Sequence, residues 1–223
     1  MLKDFTIGNL LDLNETMAAK LFEGKTYPWE ALPEIGDFIL ELGKTLDPEE
    51  FDCKDGNVWI AKSAVVAPTA LINGPAIIGR ETEVRHCAFI RGNALVGDGC
   101  VVGNSTELKN VVLFNKVQVP HYNYVGDSVL GFRSHMGAGS ICSNVKSDKR
   151  NVVVKDGNES IETGRKKFGA VLGDFVEVGC GSVLNPGTVI GRHTNIYPLS
   201  PVRGCVPANS IYKRAEVVIL KQE

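Results

Sequence analysis

The chain has 223 residues, of which 43% are hydrophobic and 22% charged, and its formal net charge is −2. This composition is ordinary for a globular protein of one or two domains, and it excludes wholesale disorder and collagen-like structure. Aromatic residues make up only 7% of the chain, whereas Gly occurs 24 times, so we expect a core of small aliphatic side chains and many turns.

The distribution of charge and the cysteine content indicate the kind of ligand and the cellular compartment to expect. Residues 1–57 carry 13 acidic and 5 basic residues, whereas residues 58–223 carry 19 basic and 13 acidic ones. The positive charge of the second part is too dilute for a nucleic-acid surface, but it suits small anionic ligands. The sequence shows no apolar run of membrane-spanning length, no signal peptide and no Cys-x-x-Cys pair among its 6 Cys residues. We therefore expect a cytoplasmic protein with reduced thiols that binds neither membranes nor nucleic acid.

The first part of the chain has the spacing of helices. An amphipathic helix is predicted over residues 29–45, and an earlier helix over residues 9–22. The apolar residues that define the longer helix are Trp29, Leu32, Ile35, Ile39 and Leu42. We predict that residues 1–57 form a small α-helical N-terminal cap for the repeats that follow, because an exposed solenoid end needs a cover.

The second part of the chain repeats every six residues. From Ile60 to Leu108 every sixth residue is aliphatic, and from Ala64 to Thr106 the residue two places before each is small. A period of six fits neither an α-helix nor a simple strand. Hexapeptide repeats are the signature of a parallel β-helix, in which three of them make one triangular coil of eighteen residues. We predict an all-β fold over residues 58–223.

The repeat is interrupted twice, and insertions in repeat proteins tend to form loops on the binding face. The phase slips between Phe114 and Tyr124. A longer insertion loop is predicted over residues 143–169, with seven basic and four acidic residues. Both interruptions are expected near a functional site.

Two cations stand one coil apart. Arg91 and Lys109 each follow a core aliphatic residue and are eighteen residues apart, which places them in one column about 4.8 Å apart. Like charges directly opposite each other destabilise a sheet. Either a bound anion bridges the pair, or both side chains turn into water; the spacing leaves both interpretations open.

The histidines predict no metal site. His121 falls in the first interruption and is either a proton acceptor or a solvated side chain. The position five residues after His121 is Gly126, and no His follows until His135, so the close pair of histidine ligands found in zinc sites of some hexapeptide proteins is missing.

Two segments resemble a known family. The stretches 121–128 (HYNYVGDS) and 137–144 (GAGSICSN) resemble the acetyltransferase domain of bifunctional UDP-N-acetylglucosamine pyrophosphorylase/glucosamine-1-phosphate N-acetyltransferase. Residues 163–174 (TGRKKFGAVLGD) are similar to the archaeal-type branch of that family. The resemblance covers roughly residues 58–206. It implies left-handed coils, a homotrimer with sites between neighbouring β-helices, and acetyl-CoA as co-substrate.

The resemblance also implies roles for individual residues. Arg91 and Lys109 match the residues that hold the sugar phosphate, and His121 matches the general base. Tyr124 and Asn144 match sugar-binding residues, and Asn144 also faces the cofactor. Four further positions match with changes: His135 replaces a sugar-contacting Asn, Arg150 replaces a Lys, Cys180 replaces a CoA-contacting Ser, and Pro198 replaces a CoA-contacting Ala. Ala138 is assigned to the cofactor, and the turn 137–139 that contains it is a candidate source of a backbone N–H for the oxyanion.

The predicted function is acetyl-CoA-dependent N-acetylation of an amino-sugar 1-phosphate resembling glucosamine 1-phosphate. No nucleotidyltransferase activity is expected, because residues 1–57 are too short for that domain and lack its Gly-rich loop. Two alternatives stay open. His135 in place of Asn favours an acyltransferase with a different acceptor. The changes at Val145, Cys180 and Pro198 favour a non-catalytic relic that binds a sugar nucleotide or a partner protein.

Overall fold

The computed structural model describes residues 2–214 and 217–220, which form two α-helices and a β-helix built from very short strands. The helices are α1 (Ile7–Leu10) and α2 (Ile35–Gly43), with 3-10 turns at Lys3–Phe5, Leu13–Glu15, Ala19–Phe22 and Pro28–Ala31. The strands are β1 (Phe51–Lys54), β2 (Val58–Ala61), β3 (Val65–Val66), β4 (Leu71–Ile72), β5 (Ala76–Ile78), β6 (Glu83–Val84), β7 (Phe89–Ile90), β8 (Ala94–Val96), β9 (Val101–Asn104), β10 (Glu107–Leu113), β11 (Gln118–His121), β12 (Tyr124–Leu130), β13 (His135–Met136), β14 (Ile141–Cys142), β15 (Val153–Asp156), β16 (Glu159–Glu162), β17 (Ala170–Leu172), β18 (Glu177–Val178), β19 (Val183–Leu184), β20 (Thr188–Ile190), β21 (Asn195–Ile196), β22 (Pro201–Val202), β23 (Cys205–Val206), β24 (Ser210–Arg214) and β25 (Val217–Leu220).

The strands stack in parallel into three faces. Face A contains β2, β5, β8, the second halves of β10 and β12, and then β17, β20 and β23. Face B contains β3, β6, β9, β11, β13, β18, β21 and β24. Face C contains β4, β7, the first halves of β10 and β12, and then β14, β19 and β22. The predicted fold class, a left-handed parallel β-helix of hexapeptide repeats with a small N-terminal helical region, is confirmed.

The two columns of the repeat have separate physical roles. The aliphatic column points inward and is buried, as at Ile90, Val102 and Leu108. The small column lies at the corners, where its hydroxyl groups donate to carbonyl oxygens: Thr82 to Gly97 at 2.7 Å and Thr106 to Val119 at 2.8 Å. A larger side chain would not fit there, and a hydroxyl satisfies backbone acceptors that no strand pairs.

The first predicted interruption is not a loop. Residues 118–121 form strand β11 of face B, and the coil continues through this region. The phase slips because two successive coils are one residue short: Ala94 pairs with Val111, and Val111 pairs with Ser128. Strands β10 and β12 run straight through the corner between faces C and A, so that corner uses fewer residues than the same corner elsewhere.

The N-terminal segment lies along face A. It buries the outward side chains of that face, including Leu95, Val112 and Val171. Its backbone is anchored to the β-helix, since Asp174 donates its N–H to Leu10 at 2.9 Å and Asn115 donates its N–H to Glu15 at 2.9 Å. Strand β1 pairs antiparallel with β2 at the first coil. The division into residues 1–57 and 58–223 stays a prediction.

The predicted helices are shorter than expected. The helix predicted over 29–45 forms only as α2, because the chain containing Pro28 and Pro33 makes a 3-10 turn first. The helix predicted over 9–22 is wrong: short turns stand there, and contacts with face A override local helix propensity. Among the described residues no helix is long and apolar enough to cross a membrane.

The second interruption is a folded insertion between β14 and β17. Its centre is an antiparallel hairpin of β15 and β16. The chain leaves at the end of face C and returns to face A, so the insertion covers the corner between these two faces. We call this corner the C/A corner, and the one between faces B and C the B/C corner.

Candidate active site

Four of the predicted site residues lie together at the C/A corner. Ile90 pairs with Leu108 on the next coil, so Arg91 and Lys109 are neighbours in one column, as the eighteen-residue spacing predicts. Tyr124 and Asn144 lie one and two coils further along. A Cβ atom at Gly126 would come within 2.5 Å of the Tyr124 hydroxyl and 2.8 Å of Asn144 Nδ2. A glycine is therefore needed for these two side chains to meet.

Each cation of the column has its own carboxylate. Arg91 Nη1 donates to Glu107 Oε1 at 2.7 Å, and Lys109 Nζ lies 3.2 Å from both carboxylate oxygens of Asp127. The bond to Glu107 raises the pKa of Arg91 above its ordinary value. These two carboxylates therefore offset the repulsion expected between Arg91 and Lys109. The spacing predicted either a bridging anion or side chains turned into water, and it did not predict partners within the chain.

Asp127 is the hub of the cluster. Its side chain is only 3% exposed, and besides Lys109 it accepts hydrogen bonds from Asn110 Nδ2 at 3.0 Å and Asn144 Nδ2 at 2.6 Å. Its backbone is left-handed, with φ of 49°, a conformation that Asp tolerates better than most residues. Sequence reasoning quoted the motif that contains Asp127 but gave it no role. The signal was an acidic residue directly after Gly126, at the corner of a shortened coil.

Tyr124 is held as a neutral hydroxyl. Burial raises its pKa above the ordinary value, and the charges of Asp127 and Glu107 raise it further. The phenol therefore keeps its proton at neutral pH and can donate a hydrogen bond to a ligand. This places a donor next to the two cations.

The insertion contributes Arg165 rather than Arg150 to this corner. Arg165 is half-buried; burial lowers its pKa, and the charge of Asp127 opposes that change. Arg150 is exposed, and its backbone N–H donates to Asp148 Oδ1 at 3.0 Å within a local turn. Within the described residues, Arg150 makes no contact with the cluster. The seven basic residues of the insertion predict that a cation reaches this corner, but they do not predict which of them does.

His121 lies on the B/C corner, at the end of β11. The backbone N–H of His121 donates to Asn123 Oδ1 at 3.1 Å, and its backbone carbonyl accepts from the N–H of Gly139 at 2.9 Å. The imidazole is exposed and has no hydrogen-bond partner among the described residues. Tyr124, three residues on, begins the part of β12 that leads to Asp127. His121 and the cluster therefore border the same face of the β-helix, face C.

The residues predicted for the cofactor continue the column of His121. Gly139 bonds to His121, Gly181 bonds to Ala138 and Leu199 bonds to Cys180, each through backbone N–H and carbonyl groups at 2.9 Å. His121, Ala138, Cys180 and Pro198 consequently occupy successive coils of the B/C corner, and all four are exposed. Three intervals of about 4.8 Å make this column roughly 14 Å long.

His135 lies apart from these groups, on face B. Its Nδ1 is 2.8 Å from Glu177 Oε2 on the next coil. The pair lines a cavity of about 580 Å³ together with Lys116 and Arg133. In one chain, His135 is thus not beside Arg91 and Lys109.

Two of the Cys thiols lie in the core of the β-helix. Cys100 and Cys142 are buried, and burial raises the pKa of each to about 12. The part of the chain that the structure describes contains no group of three His, Cys, Asp or Glu residues arranged to hold a metal ion.

The family follows from comparison with known proteins. A family model described as "GMPPB C-terminal domain" matches residues 72–196, more than half of the chain. The chain belongs to this family. Among its relatives, the bifunctional protein GlmU of Methanococcus maripaludis (strain C5) is 31% identical over 199 residues, covering 88% of this chain and 48% of that protein. The bifunctional sugar-1-phosphate nucleotidylyltransferase/acetyltransferase of Sulfurisphaera tokodaii is 32% identical over 205 residues, covering 81% and 50%.

The chain therefore spans about half the length of these relatives. The resemblance to the acetyltransferase domain of such bifunctional proteins, predicted from the motifs, is confirmed. Among solved structures, a hexapeptide transferase family protein from Anaplasma phagocytophilum aligns with a TM-score of 0.49 at 17% identity, over 74% of this chain and 80% of that one. The acetyltransferase domain of PglB from Neisseria gonorrhoeae, in complex with acetyl coenzyme A, aligns with a TM-score of 0.34 at 16% identity, over 81% and 76%.

Proposed function

We propose that the protein transfers an acetyl group from acetyl-CoA to the amine of an amino-sugar 1-phosphate, with His121 as general base. The observation that carries this proposal is the cluster at the C/A corner. Arg91 and Lys109 present cations in one column, and Tyr124 and Asn144 present hydrogen-bonding groups beside them. Such a set suits a ligand that has a phosphate at one end and hydroxyl groups next to it.

The carboxylates of the cluster position the cations rather than neutralise the site. Asp127 is buried below Lys109, and Glu107 holds one nitrogen of Arg91. Among the described residues, the remaining N–H groups of both side chains have no acceptor, so they can donate to phosphate oxygens. Arg can bind phosphate with two parallel hydrogen bonds. Fixing the phosphate orients the sugar amine for attack, which contributes to the rate through positioning.

The chemical step needs a proton acceptor and an oxyanion donor. The neutral amine attacks the thioester carbonyl, a C–N bond forms and the C–S bond breaks. The amine proton passes to His121, which returns it to the departing sulfur, so CoA leaves as its thiol. In the turn 137–139, Gly137 and Gly139 use their N–H groups within the chain. The N–H of Ala138 has no acceptor among the described residues, so we assign it to the developing oxyanion.

The cofactor is proposed to lie along the B/C corner. The column of His121, Ala138, Cys180 and Pro198 is about 14 Å long, which suits the extended pantetheine arm. Asn144 would reach both ligands, since it faces the phosphate cluster from the coil next to Tyr124. Cys180 has a weaker hydrogen-bond donor than Ser, and Pro198 lacks the backbone N–H that Ala has, so we expect weaker CoA binding than Ser and Ala would give.

We propose a homotrimer. A convex face of one β-helix does not enclose a ligand as long as CoA, and in one chain His135 lies on face B while the phosphate cluster lies at the edge of face C. Face A is already covered by the N-terminal segment, which leaves faces B and C to meet a neighbouring copy. Arg150, exposed on the insertion, is proposed to reach the sugar phosphate of such a neighbour. We expect this assembly to act in the cytoplasm on small molecules.

The test is release of free thiol from acetyl-CoA in the presence of glucosamine 1-phosphate. We expect sugar-dependent release by the wild type and its loss in His121→Ala. His193→Ala is the matched control, because His193 is an exposed corner histidine stacked on Phe175 at 4.7 Å and should keep full activity. Equal loss in both variants, or activity in His121→Ala equal to that of the wild type, would contradict the role of His121.

One observation favours a second candidate, an acyltransferase with a different acceptor. His135 Nδ1 lies 2.8 Å from Glu177 Oε2, so an imidazole beside a carboxylate stands where the family has a neutral Asn. A panel of amino sugars, sugar phosphates and alcohols in the same thiol-release assay separates the two candidates. Faster release with any acceptor other than an amino-sugar 1-phosphate would favour the second.

A further inference from the structure

A second cavity lies at the C/A corner, between the insertion and the later coils of the β-helix. Its volume is about 710 Å³, within the range of pockets that hold small molecules and cofactors. Its lining contains Ser143 and Val145, which flank Asn144, but it contains neither Asp127 nor His121. Its lining residues include Ser143, Lys146, Lys155, Asn185, Pro186 and Arg203.

Strand β15 of the hairpin lines one side of the cavity through Val153 and Lys155. Strand β15 crosses the corner at two glycines, where a Cβ atom on Gly187 would come within 2.7 Å of Val152 Cγ1 and one on Gly204 within 2.8 Å of the Lys155 carbonyl oxygen. Val152 and Val154 are fully buried. The backbone that carries Lys155 is therefore fixed against the β-helix, so this cation stands over the cavity as part of the fold.

The cavity continues the column of the phosphate cluster. Lys109 pairs with Gly126, and backbone bonds then carry the column through Ser143 and Asn185 to Arg203. At about 4.8 Å per coil, Ser143 lies roughly 10 Å beyond Lys109 and Arg203 roughly 19 Å beyond it. One elongated ligand, or two ligands end to end, can follow this corner.

The side chains that line the cavity include more cations than carboxylates, together with apolar and amide groups. Lys146 is paired with Asp148 at 3.2 Å, whereas Lys155 and Arg203 have no carboxylate partner among the described residues. Val145, Val153 and Pro186 provide apolar contacts, and Asn185 provides an amide. Unpaired cations fit phosphate oxygens, and the apolar and amide groups fit a ribose and a base.

We propose that this cavity binds a nucleoside phosphate, held by Lys155 and Arg203 through its phosphate groups. The identity of the ligand rests on the proposed function, because two substrates of such an acetyltransferase carry this chemistry. One is the phosphorylated adenosine of CoA. The other is the nucleotide of an amino sugar that is activated as a nucleoside diphosphate, with its sugar phosphate at Lys109.

The experiment is calorimetric titration of the full chain at low ionic strength with CoA, UDP and GDP as separate probes. The variant Lys155→Ala/Arg203→Ala removes both unpaired cations. Lys44→Ala/Lys62→Ala is the matched control, since it removes the same charge from exposed sites at the end of α2 and after β2. Thermal unfolding of both variants checks that the fold is retained.

We expect the first variant to bind at least one probe about tenfold more weakly than the wild type, and the control to bind like the wild type. Weakened CoA binding assigns the cavity to the acyl donor, and weakened UDP or GDP binding assigns it to a nucleotide-linked acceptor. Equal binding of every probe by both variants and the wild type, or no binding of any probe by the wild type, overturns the proposal. Because binding is measured without turnover, a failure of acetyl transfer alone contradicts the proposed function and leaves this result intact.

Discussion

Asp127 shows how a single residue organises the candidate site. Its buried carboxylate receives Lys109 and Asn110 from the preceding coil and Asn144 from the following coil. A buried carboxylate is retained only where hydrogen bonds and a cation satisfy it. The sequence places Arg91 and Lys109 through simple spacing, but this convergence depends on the shortened coils, which spacing alone does not predict.

We expect Asp127→Asn to lower the free energy of unfolding by about 1–3 kcal/mol, because the change leaves Lys109 without its counter-charge and forces two amides to face each other. The value of kcat/KM for the sugar phosphate should fall about tenfold to a hundredfold through misplacement of Lys109 and Asn144. Urea unfolding and steady-state kinetics measure the two effects. Glu41→Gln, which removes an exposed pair with Lys44, should change neither; an unchanged Asp127→Asn would show that Asp127 does not position the cluster.

The buried thiols should make stability depend on alkaline pH. The pKa of Cys100 and of Cys142 is about 12 in the folded chain, whereas an unfolded chain loses thiol protons near about pH 8.5. Between these values the unfolded state binds fewer protons, so the free energy of unfolding falls as pH rises. Urea unfolding at increasing pH should show a decline that is smaller in Cys100→Ala/Cys142→Ala. The same decline in both proteins would contradict this assignment.

At the scale of elements, the repeat is predictable and its exceptions are not. The aliphatic residues that point inward and the small residues at the corners determine the coils. Each of these positions has the same surroundings in every coil, so the same residue type recurs there. The slip between Phe114 and Tyr124 is misread as a loop because a coil shortened by one residue leaves the same trace as an insertion. Both shortened coils meet at the cluster around Asp127, so this irregularity of the repeat coincides with the candidate site.

The N-terminal segment illustrates the limit of helical spacing. Of the apolar residues that recur at helical intervals, Trp29 and Leu32 lie in or directly after a 3-10 turn, whereas those from Ile35 onward lie in the short helix α2. Phe22 packs on Phe114 with ring centroids 5.7 Å apart. Which surface these residues cover is a tertiary property that periodicity does not encode.

We expect Phe22→Ala to destabilise the protein by about 3 kcal/mol, because it empties a buried aromatic site between the segment and face A. Phe175→Ala is the matched control, since Phe175 is 37% exposed on a corner and should cost much less. Urea unfolding measures both. Equal effects of the two substitutions would show that the segment does not support face A.

At the scale of the molecule, the positions of the candidate groups are the basis for the proposed homotrimer. The groups proposed to bind phosphate lie at the C/A corner, His121 and the proposed cofactor column at the B/C corner, and His135 on face B. Covering face A within the chain leaves the other two faces to build a site between copies. We expect light scattering to give three times the monomer mass of 24.1 kDa at micromolar concentration. A monomer under these conditions would contradict a site shared between copies.

The most direct test of the proposed function compares glucosamine 1-phosphate with glucosamine as acceptor, in the wild type and in Lys109→Ala. The wild type should release CoA thiol with a much higher kcat/KM for the phosphorylated sugar, because Arg91 and Lys109 hold its phosphate. In Lys109→Ala this preference should fall about tenfold or more, while the slow reaction with glucosamine stays unchanged. Equal preference in both proteins, or no phosphate preference in the wild type, would contradict a phosphate site at this corner.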